Sequence, residues 1–172
     1  SELDKSWNRY GCAVEGRAYS MSVLRKKPKS ILDVGCGYNQ WIKQLKKNYI
    51  ESKNPQIEKM FCHMKDMKMI GVDIACPGAD IIAPAHNMPF CDNSFDMITS
   101  FDCMEHIPEE EIPLVLKEFA RIGNRVYADI CLADSPTTID GDPLHVCIKP
   151  KVWWINQFKQ YFNDVKIKKE DR

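Results

Sequence analysis

The stretch that decides the fold is Ile31-Leu32-Asp33-Val34-Gly35-Cys36-Gly37. Apolar residues that favour β-structure and one acidic residue run into two glycines, and an amphipathic stretch from Gln40 to Ile50 follows directly. This order predicts a buried strand that ends in a tight glycine turn and opens a helix. At such a turn the backbone approaches a nucleotide-like ligand closely.

A second short apolar segment also ends in a carboxylate. This segment is Ile70-Gly71-Val72-Asp73-Ile74. A carboxylate at the end of a strand is placed to accept hydrogen bonds from ribose hydroxyls, as it does in dinucleotide-binding folds. The two segments together predict that the chain binds an adenosine-containing small molecule.

Length, charge and cysteine content limit the class of protein. The 172 residues predict one domain that buries its core without disulfides or metals. Lysine plus arginine equals aspartate plus glutamate at 24 each, so nothing points to a global nucleic-acid partner. The eight cysteines form no C-x-x-C pair and mostly lie in apolar runs, which predicts no metal site and a reduced, cytoplasmic protein. No apolar run approaches the length of a membrane span.

Strand-like and helix-like patterns alternate along the chain. The expected strands cover residues 30–35, 68–73, 80–83, 95–100, 125–132 and 165–167. The expected helices cover residues 7–26 within an N-terminal segment 1–27, then 39–50, 108–122 and 150–162. Residues 51–68 are charged and rich in methionine, and they are interpreted as an insertion or a long crossover with a short helix at 56–64. The pattern predicts an α/β fold, a Rossmann-like three-layer sandwich with a mostly parallel sheet and the ligand at the strand C-termini.

Four segments in this order resemble the motifs of the class I S-adenosylmethionine-dependent methyltransferases, in particular the small-molecule subgroup called type 11. The resemblance covers roughly residues 28–165. Its segments are the glycine turn at 33–37, Asp73, the run Asn87-Met88-Pro89-Phe90 followed by Asn93-Ser94-Phe95-Asp96, and the run from Ser100 to Ile107. Dinucleotide oxidoreductases instead need G-x-G-x-x-G, and Gln40 stands in place of the third glycine.

The resemblance implies S-adenosylmethionine as cofactor and a set of residues that bind it. It implies that Asp33, Gly35, Cys36 and Gly37 pass under the methionine and ribose parts and that Asp73 and Ile74 lie at the ribose. It further implies Ala85, His86 and Asn87 beside the adenine, and Ser100 and Phe101 at the methionine end. The chain departs from the family at Pro84, where an acid is common. It also ends at Arg172, so either the terminal antiparallel hairpin is trimmed or the chain is shortened.

Two histidines are predicted to be catalytic. Methyl transfer is an in-line displacement on a sulfonium carbon, and it needs a base only where the acceptor must lose a proton. His106 follows the fourth strand, and His145 lies in Asp142-Pro143-Leu144-His145, in a loop that faces the acceptor in this family. In the alternative interpretation, His106 caps a helix or bonds the cofactor, and His145 orients its loop.

The expected acceptor is a small polar molecule, a hydroxyl of a metabolite or sugar. Enzymes that methylate amino groups of nucleic acids carry N/D-P-P-Y/F/W after the fourth strand, where this chain has Ser100-Phe101-Asp102-Cys103. The Pro-Cys nucleophile of enzymes that methylate cytosine carbon is also missing. Two alternatives stay open: a nucleic-acid methyltransferase, and a non-catalytic cofactor-binding regulatory protein. The sequence predicts no oligomeric state.

Overall fold

One parallel sheet organises the part of the chain that the computed structural model describes, which is residues 20, 22–135, 138–139, 141–163 and 165–168. The sheet order is β3-β2-β1-β4-β5-β8, and every strand pair in it is parallel. The strands are β1 (Ser30–Val34), β2 (Lys68–Asp73), β3 (Ile81–Ile82), β4 (Met97–Phe101), β5 (Val126–Asp129), β6 (Thr138–Ile139), β7 (Asp142–Pro143) and β8 (Val165–Lys168). Strands β6 and β7 pair with each other in a separate antiparallel hairpin.

Helices connect the strands and cover the sheet. They are α1 (Gln40–Leu45), α2 (Pro55–Phe61), α3 (Ile112–Ile122) and α4 (Lys151–Lys159). Short 3-10 turns cover Cys62–Met64, Met104–His106 and Glu109–Glu111. None of these described helices has the length and apolarity that a membrane crossing requires.

The hydrophobic core lies in two clusters, one on each face of the sheet. Leu32 and Val34 of β1 pack in one cluster with α3 and α4, while Ile31 packs in the other with α1 and α2. This division follows from the strand period of two, because successive side chains point to opposite faces. The predicted three-layer sandwich is confirmed.

Several predicted elements differ in extent. The helix expected over 39–50 has α-geometry only to Leu45 and continues as a π-helical turn, Lys46–Ile50. The segment 51–68 contains α2, which begins at Pro55 because the Asn54 side chain accepts hydrogen bonds from the N–H groups of Gln56 and Ile57. The loop expected over 133–147 holds the β6–β7 hairpin, whose turn uses Gly141 at φ 92°.

The predictions for the N-terminal helix and for the last strand have different outcomes. The helix expected over 7–26 falls largely outside the described residues, of which 22–24 are helical. The last predicted strand is present as β8, and it pairs with β5 in parallel register, Val126 opposite Val165. No antiparallel strand joins this sheet within the described part of the chain.

The strand register brings the two motif carboxylates to one edge of the sheet. Val34 pairs with Val72, and Asp33 pairs with Thr99. The loops after β1, β2 and β4 therefore leave the sheet side by side at its C-terminal edge. Ligands of open parallel sheets bind at this edge.

Candidate cofactor and acceptor site

A cavity of about 420 Å³ lies at the C-terminal ends of β1, β2 and β4. Its walls come from the glycine turn, the end of β2, the loop before β4, the segment after β4 and the loop after β5. Of the residues implied by the family resemblance, six line it: Gly35, Gly37, Asp73, Ile74, Ala85 and His86. The cavity therefore joins segments that the sequence analysis singled out separately.

The two glycines of the turn after β1 have different structural roles. Both have left-handed backbone, with φ 76° at Gly35 and φ 52° at Gly37. A Cβ atom on Gly35 would lie 2.3 Å from Sγ of Cys103, whereas one on Gly37 would meet nothing within 4 Å. Gly35 thus allows the turn to pack against the segment after β4, and Gly37 leaves the edge of the cavity open.

Asp73 fixes the turn while it lines the cavity. Its Oδ2 accepts a hydrogen bond from the N–H of Gly37 at 3.0 Å. Its Oδ1 accepts from the N–H groups of Ala75 and Cys76 at 3.0 and 2.9 Å. A carboxylate has about four acceptor positions. Asp73 therefore holds two loops together and keeps about one position for a ligand hydroxyl.

Apolar and imidazole groups line the part of the cavity formed by the segments after β2 and β3. Ile74 lines the cavity although 69% of its surface is exposed, so a bound ligand would cover it. Pro84, Ala85 and His86 also line the cavity. The Nδ1 atom of His86 lies 3.8 Å from Oε2 of Glu111, and both side chains are exposed. Pro84 itself, where the family commonly has an acid, offers only apolar surface and a carbonyl.

The loop that carries Ala85 and His86 is held by a charged pair on α3. Oε1 of Glu118 accepts a hydrogen bond from the N–H of Met88 at 2.7 Å. Arg121 donates to the carbonyl of Phe90 at 2.7 Å and to Oε2 of Glu118 at 2.8 Å. The hydrogen bond from Arg121 is the main reason that the pKa of Glu118 lies below its ordinary value. The sequence analysis missed this pair, although its i, i+3 spacing on a helix is a usable signal.

Asp33 lies below the cavity lining. Its carboxyl is buried, and its Oδ1 accepts a hydrogen bond from Oγ1 of Thr99 at 2.7 Å. Its pKa is raised from 3.8 to about 7, chiefly by burial, while the Thr99 hydrogen bond lowers it and the nearby Asp73 charge raises it. Asp33 thus joins β1 to β4, and it is not among the residues that line the cavity.

Four other implied cofactor residues also lie outside the lining: Cys36, Asn87, Ser100 and Phe101. The thiol of Cys36 packs against Gly71, where a Cβ atom would lie 2.7 Å from its Sγ. Ser100 and Phe101 are buried in β4, and the Phe101 ring contacts Trp41 with centroids 5.1 Å apart. Asn87 is exposed.

The two predicted catalytic histidines lie against each other. Their ring centroids are 4.9 Å apart at an interplanar angle of 73°. His106 lines the cavity and its Nδ1 lies 2.9 Å from the carbonyl oxygen of Leu144, while Nδ1 of His145 lies 2.7 Å from that of Ala133. A carbonyl only accepts, so each Nδ1 donates and the ring lone pair is on Nε2. Burial lowers the pKa of His106.

Glu105 is a buried acid whose importance the sequence analysis missed. Its side chain is 0% exposed, and its Oε1 accepts a hydrogen bond from the N–H of Cys131 at 3.0 Å. Its Oε2 is buried without a hydrogen-bond partner. Burial raises its pKa to about 8. The adjacent Glu105 and His106 in the sequence were a signal, but no local pattern shows that the glutamate is buried.

The charge of the lining is acidic. Its acidic and imidazole residues are Asp73, His86, Asp102, His106 and Glu111, and no lysine or arginine lines it among the residues that the structure describes. Such a lining favours neutral or cationic ligands over anionic ones. S-adenosylmethionine fits it in this respect, because its sulfonium is cationic, and it fits Gly37, where the backbone leaves open space.

The model of the methyltransferase domain family matches residues 32–125, which is more than half of the chain. The chain belongs to this family. S-adenosylmethionine, which the sequence resemblance implied, is the cofactor that membership indicates. The matched residues contain the glycine turn, Asp73 and the segment after β4.

Two curated relatives come from the plant Rauvolfia serpentina. Norajmaline N-methyltransferase is 30% identical over 89 residues, which cover 50% of this chain and 30% of that protein. Ajmaline N-methyltransferase is 28% identical over 98 residues, which cover 56% of this chain and 33% of that protein. The matches thus span about a third of the length of these relatives.

Two solved structures share the fold. A protein described as a sarcosine dimethylglycine methyltransferase from Galdieria sulphuraria has a TM-score of 0.53 and 16% identity, covering 84% of this chain and 58% of that one. The [4+2]-cyclase SpnF has a TM-score of 0.51 and 14% identity, covering 77% and 50%. The second name shows that this fold also hosts other chemistry, so activity has to be argued from the site.

Proposed function

We propose that the protein transfers a methyl group from S-adenosylmethionine to a hydroxyl of a small polar molecule, such as a metabolite or sugar. One observation carries this proposal: the cavity brings the glycine turn, Asp73, the loop at Ala85 and His106 to one edge of the sheet. The family resemblance implies the first three in cofactor binding, and we propose that the acceptor binds beside His106. We propose that this one cavity holds the cofactor and admits the acceptor.

Each part of the chain has one task in this proposal. The open backbone at Gly37 lets the cofactor lie against the turn, and the remaining acceptor position of Asp73 takes a ribose hydroxyl. Ile74 and Ala85 cover the apolar surface of the base. The bound cofactor supplies the methyl group on a cationic sulfur. Alignment of this group with the acceptor is the main contribution that the protein makes.

The chemical step forms a bond from the acceptor oxygen to the methyl carbon as the bond from that carbon to sulfur breaks. Sulfur keeps the electron pair and loses its positive charge, and the hydroxyl proton passes to the Nε2 lone pair of His106. His106 lines the cavity, and the ring of His145 packs against it. We propose them as the groups that act on the acceptor.

The acidic lining supports a small neutral or cationic acceptor over a nucleic acid. Nucleic-acid enzymes neutralise backbone phosphates with lysine and arginine. Within the described part of the chain, the cavity lining has carboxylates from Asp73, Asp102 and Glu111 and neither lysine nor arginine. These carboxylates would repel the phosphate groups of a nucleic acid.

A small amine is the second candidate acceptor. The two curated relatives are named as N-methyltransferases of alkaloid substrates. An ammonium group would also be attracted by the acidic lining before it loses its proton. The two acceptor types are separated by the atom that receives the methyl group.

We also propose a reducing, cytoplasmic location. The seven cysteines within the described residues are free thiols. Free thiols persist in compartments that keep glutathione reduced. The test is fractionation of cells that express the full-length protein, with thiol labelling before and after reduction.

Calorimetric titration with S-adenosylmethionine and S-adenosylhomocysteine tests the cofactor assignment, with NADH as the unrelated nucleotide. Ile74→Asp is the best variant because the side chain is exposed, so the change leaves folding intact. Val152→Asp is the matched control, since Val152 is 63% exposed and lies outside the cavity lining. We expect micromolar binding of the first two ligands, loss of at least about tenfold in affinity for Ile74→Asp and no change for Val152→Asp.

Turnover is tested with hydroxyl and amine acceptors and a ¹³C-labelled methyl group. The chemical shift of the product methyl distinguishes O-methyl from N-methyl. Cofactor binding without turnover of any acceptor would favour a regulatory cofactor-binding protein. Salt-sensitive binding of RNA or DNA would favour the nucleic-acid alternative.

A further inference from the structure

We propose that Glu105, His106 and His145 form a binding site for a divalent metal ion at the acceptor end of the cavity. One ligand atom from each of these residues lies within 4.8 Å of the other two. Two ligands of one tetrahedral metal ion are about 3.3–3.6 Å apart, because each bond is about 2.0–2.2 Å long. Side-chain rotations that move each ligand atom by about 1 Å or less therefore bring the three atoms onto one ion.

The fold, rather than local sequence, assembles this cluster. Glu105 and His106 lie in the 3-10 turn after β4, and His145 lies in the loop after β5. The two segments are fastened together, because the carbonyl of Glu105 accepts hydrogen bonds from the N–H groups of Val146 and Cys147. The position of His145 beside the turn is thus fixed by backbone contacts on its C-terminal side.

The free carboxylate oxygen of Glu105 is the second, independent observation. The side chain is 0% exposed and its Oε2 is buried without a hydrogen-bond partner. A buried polar atom without a partner is costly, and native proteins rarely keep one. A metal ion bound by this oxygen removes the cost.

Both imidazoles are oriented in the way that metal ligands require. Each donates Nδ1–H to a backbone carbonyl, His106 to that of Leu144 and His145 to that of Ala133. Histidine ligands commonly donate the other ring N–H to such a group, which fixes the tautomer and the ring orientation. The tautomer present here leaves Nε2 of each ring as the ligating nitrogen.

The surrounding charge favours a cation. Asp102 precedes Glu105 in the segment after β4 and lines the cavity, and its N–H donates a hydrogen bond to the carbonyl of Asp129 at the end of β5. A divalent ion would be attracted to this concentration of acidic residues.

The donor set selects the class of metal. Two imidazoles and one carboxylate suit Zn²⁺ and the neighbouring divalent transition ions better than Mg²⁺ or Ca²⁺, which prefer oxygen ligands alone. Catalytic sites with three protein ligands keep a further position for water or substrate. His106 lines the cavity, so this open position faces the acceptor region.

The role of the ion, unlike its binding, rests on the proposed function. A metal ion at this place would hold the acceptor oxygen and lower the pKa of its proton, as it does for bound water. With the ion bound, the two histidines act on the acceptor as ligands of the ion, and the acceptor proton passes to water. A hydroxyl acceptor gains more from this than an amine, which already carries a nucleophilic lone pair when neutral.

Metal binding is tested on the whole chain without cofactor or acceptor. The protein is stripped with a chelator and titrated with Co²⁺, whose visible absorption reports ligation by protein groups, and Zn²⁺ is then added as competitor. We expect one Co²⁺ per chain, displaced by Zn²⁺. We expect Glu105→Gln and His145→Ala each to weaken the Co²⁺ affinity at least about tenfold.

Two controls separate this site from other metal-binding groups. His86→Ala removes a second imidazole beside a glutamate, since His86 lies 3.8 Å from Glu111, and it should leave Co²⁺ binding unchanged. A Cys62→Ser/Cys91→Ser variant removes two exposed thiols and should also leave it unchanged. Circular dichroism and the melting temperature verify that each variant is folded. If Glu105→Gln does not fold, His145→Ala still tests the site, because it changes a residue in a loop and not in the core.

Three outcomes overturn the metal site: no stoichiometric Co²⁺ binding, binding that survives both Glu105→Gln and His145→Ala in folded proteins, or binding that is lost in the cysteine variant. Cofactor titration is run on the same samples. Metal binding without cofactor binding would leave this site standing and reject the proposed function. Cofactor binding without metal binding would reject the metal site and leave the proposed function standing.

Discussion

Gly35 and Cys103 approach each other so closely that a Cβ atom on Gly35 would lie 2.3 Å from the Sγ atom. The contact joins the turn after β1 to the segment after β4, which are two of the segments that line the cavity. It explains why a glycine is needed at this position in addition to the left-handed φ of 76°. The packing of the two segments fixes the distance between them.

Gly35→Ala should therefore destabilise the protein more than Gly37→Ala. Both changes place a side chain in left-handed backbone at a cost of about 1–2 kcal/mol. Only the first adds a clash, worth about 1–3 kcal/mol more. Urea unfolding of the two variants measures the difference. Combining Gly35→Ala with Cys103→Gly should restore only the part of the unfolding free energy that the clash had removed. Equal stability of the two single variants would contradict this account.

Arg121→Ala should loosen the loop that carries Ala85 and His86. The change removes hydrogen bonds to the Phe90 carbonyl and to Glu118 and should lower the free energy of unfolding. The affinity for S-adenosylmethionine, measured by titration, should fall several-fold as well.

Arg125→Ala is the matched control for this prediction. Arg125 donates to Asp96 and to the carbonyl of Lys26, neither of which lines the cavity. Its loss should lower stability and leave cofactor affinity unchanged. An equal loss of affinity in both variants would mean that general destabilisation, and not the loop, governs binding.

Glu118 should make the free energy of unfolding fall in acid. Its pKa is lowered in the folded protein, so its stabilising contribution is present above the ordinary value of 4.5 and is lost as the pH falls through the folded value. The difference in unfolding free energy between the native protein and Glu118→Gln should stay constant at neutral pH and shrink in acid. Denaturant unfolding across the acid range measures this difference. A difference that grows in acid would show that the sign is wrong.

Asp33 should make the free energy of unfolding fall as the pH rises. Its pKa is raised from 3.8 to about 7 in the folded protein, so the folded state binds more protons than the unfolded state between these values. Stability due to this group therefore falls as the pH rises from about 4 to about 7. Asp33→Asn should gain stability relative to the native protein over this window, as measured by denaturant unfolding at several pH values.

The design isolates Asp33 from other buried acids. Glu105 also has a raised pKa, but it is present in both proteins and cancels in the difference. Thr99→Val removes the hydrogen bond that lowers the pKa of Asp33, so it should shift the window to higher pH. Parallel stability curves for the native protein and Asp33→Asn would refute the assignment.

His106→Ala should separate binding from turnover. We propose this residue for the acceptor and not for the cofactor, so the affinity for S-adenosylhomocysteine should change by less than about threefold, which is under 1 kcal/mol. The rate of methyl transfer to the acceptor found by screening should fall at least about 100-fold. The measurement is a titration followed by an assay of S-adenosylhomocysteine release. A selective loss of cofactor affinity would place His106 at the cofactor instead.

Local patterns in the sequence determined the strands, the glycine turn and the family. Residues 31–37 predict β1 and its turn because apolar runs, glycine geometry and helix periodicity act over a few neighbouring residues. The same holds for β2 with Asp73, for α3 and for the order of the motifs. The predicted element ends were less accurate, as α1 shows, because packing decides where a helix stops.

Tertiary structure alone decided which of these residues face the cavity. Asp33 and Phe101 lie within the motifs, yet their side chains pack against Thr99 and Trp41 instead of lining the site. Side-chain direction depends on the face of the strand and on the neighbouring strands, neither of which a motif records. His145 meets Glu105 and His106 only because the loop after β5 returns to the segment after β4. The sequence fixes which chemical groups are present, but long-range pairing decides which of them act together.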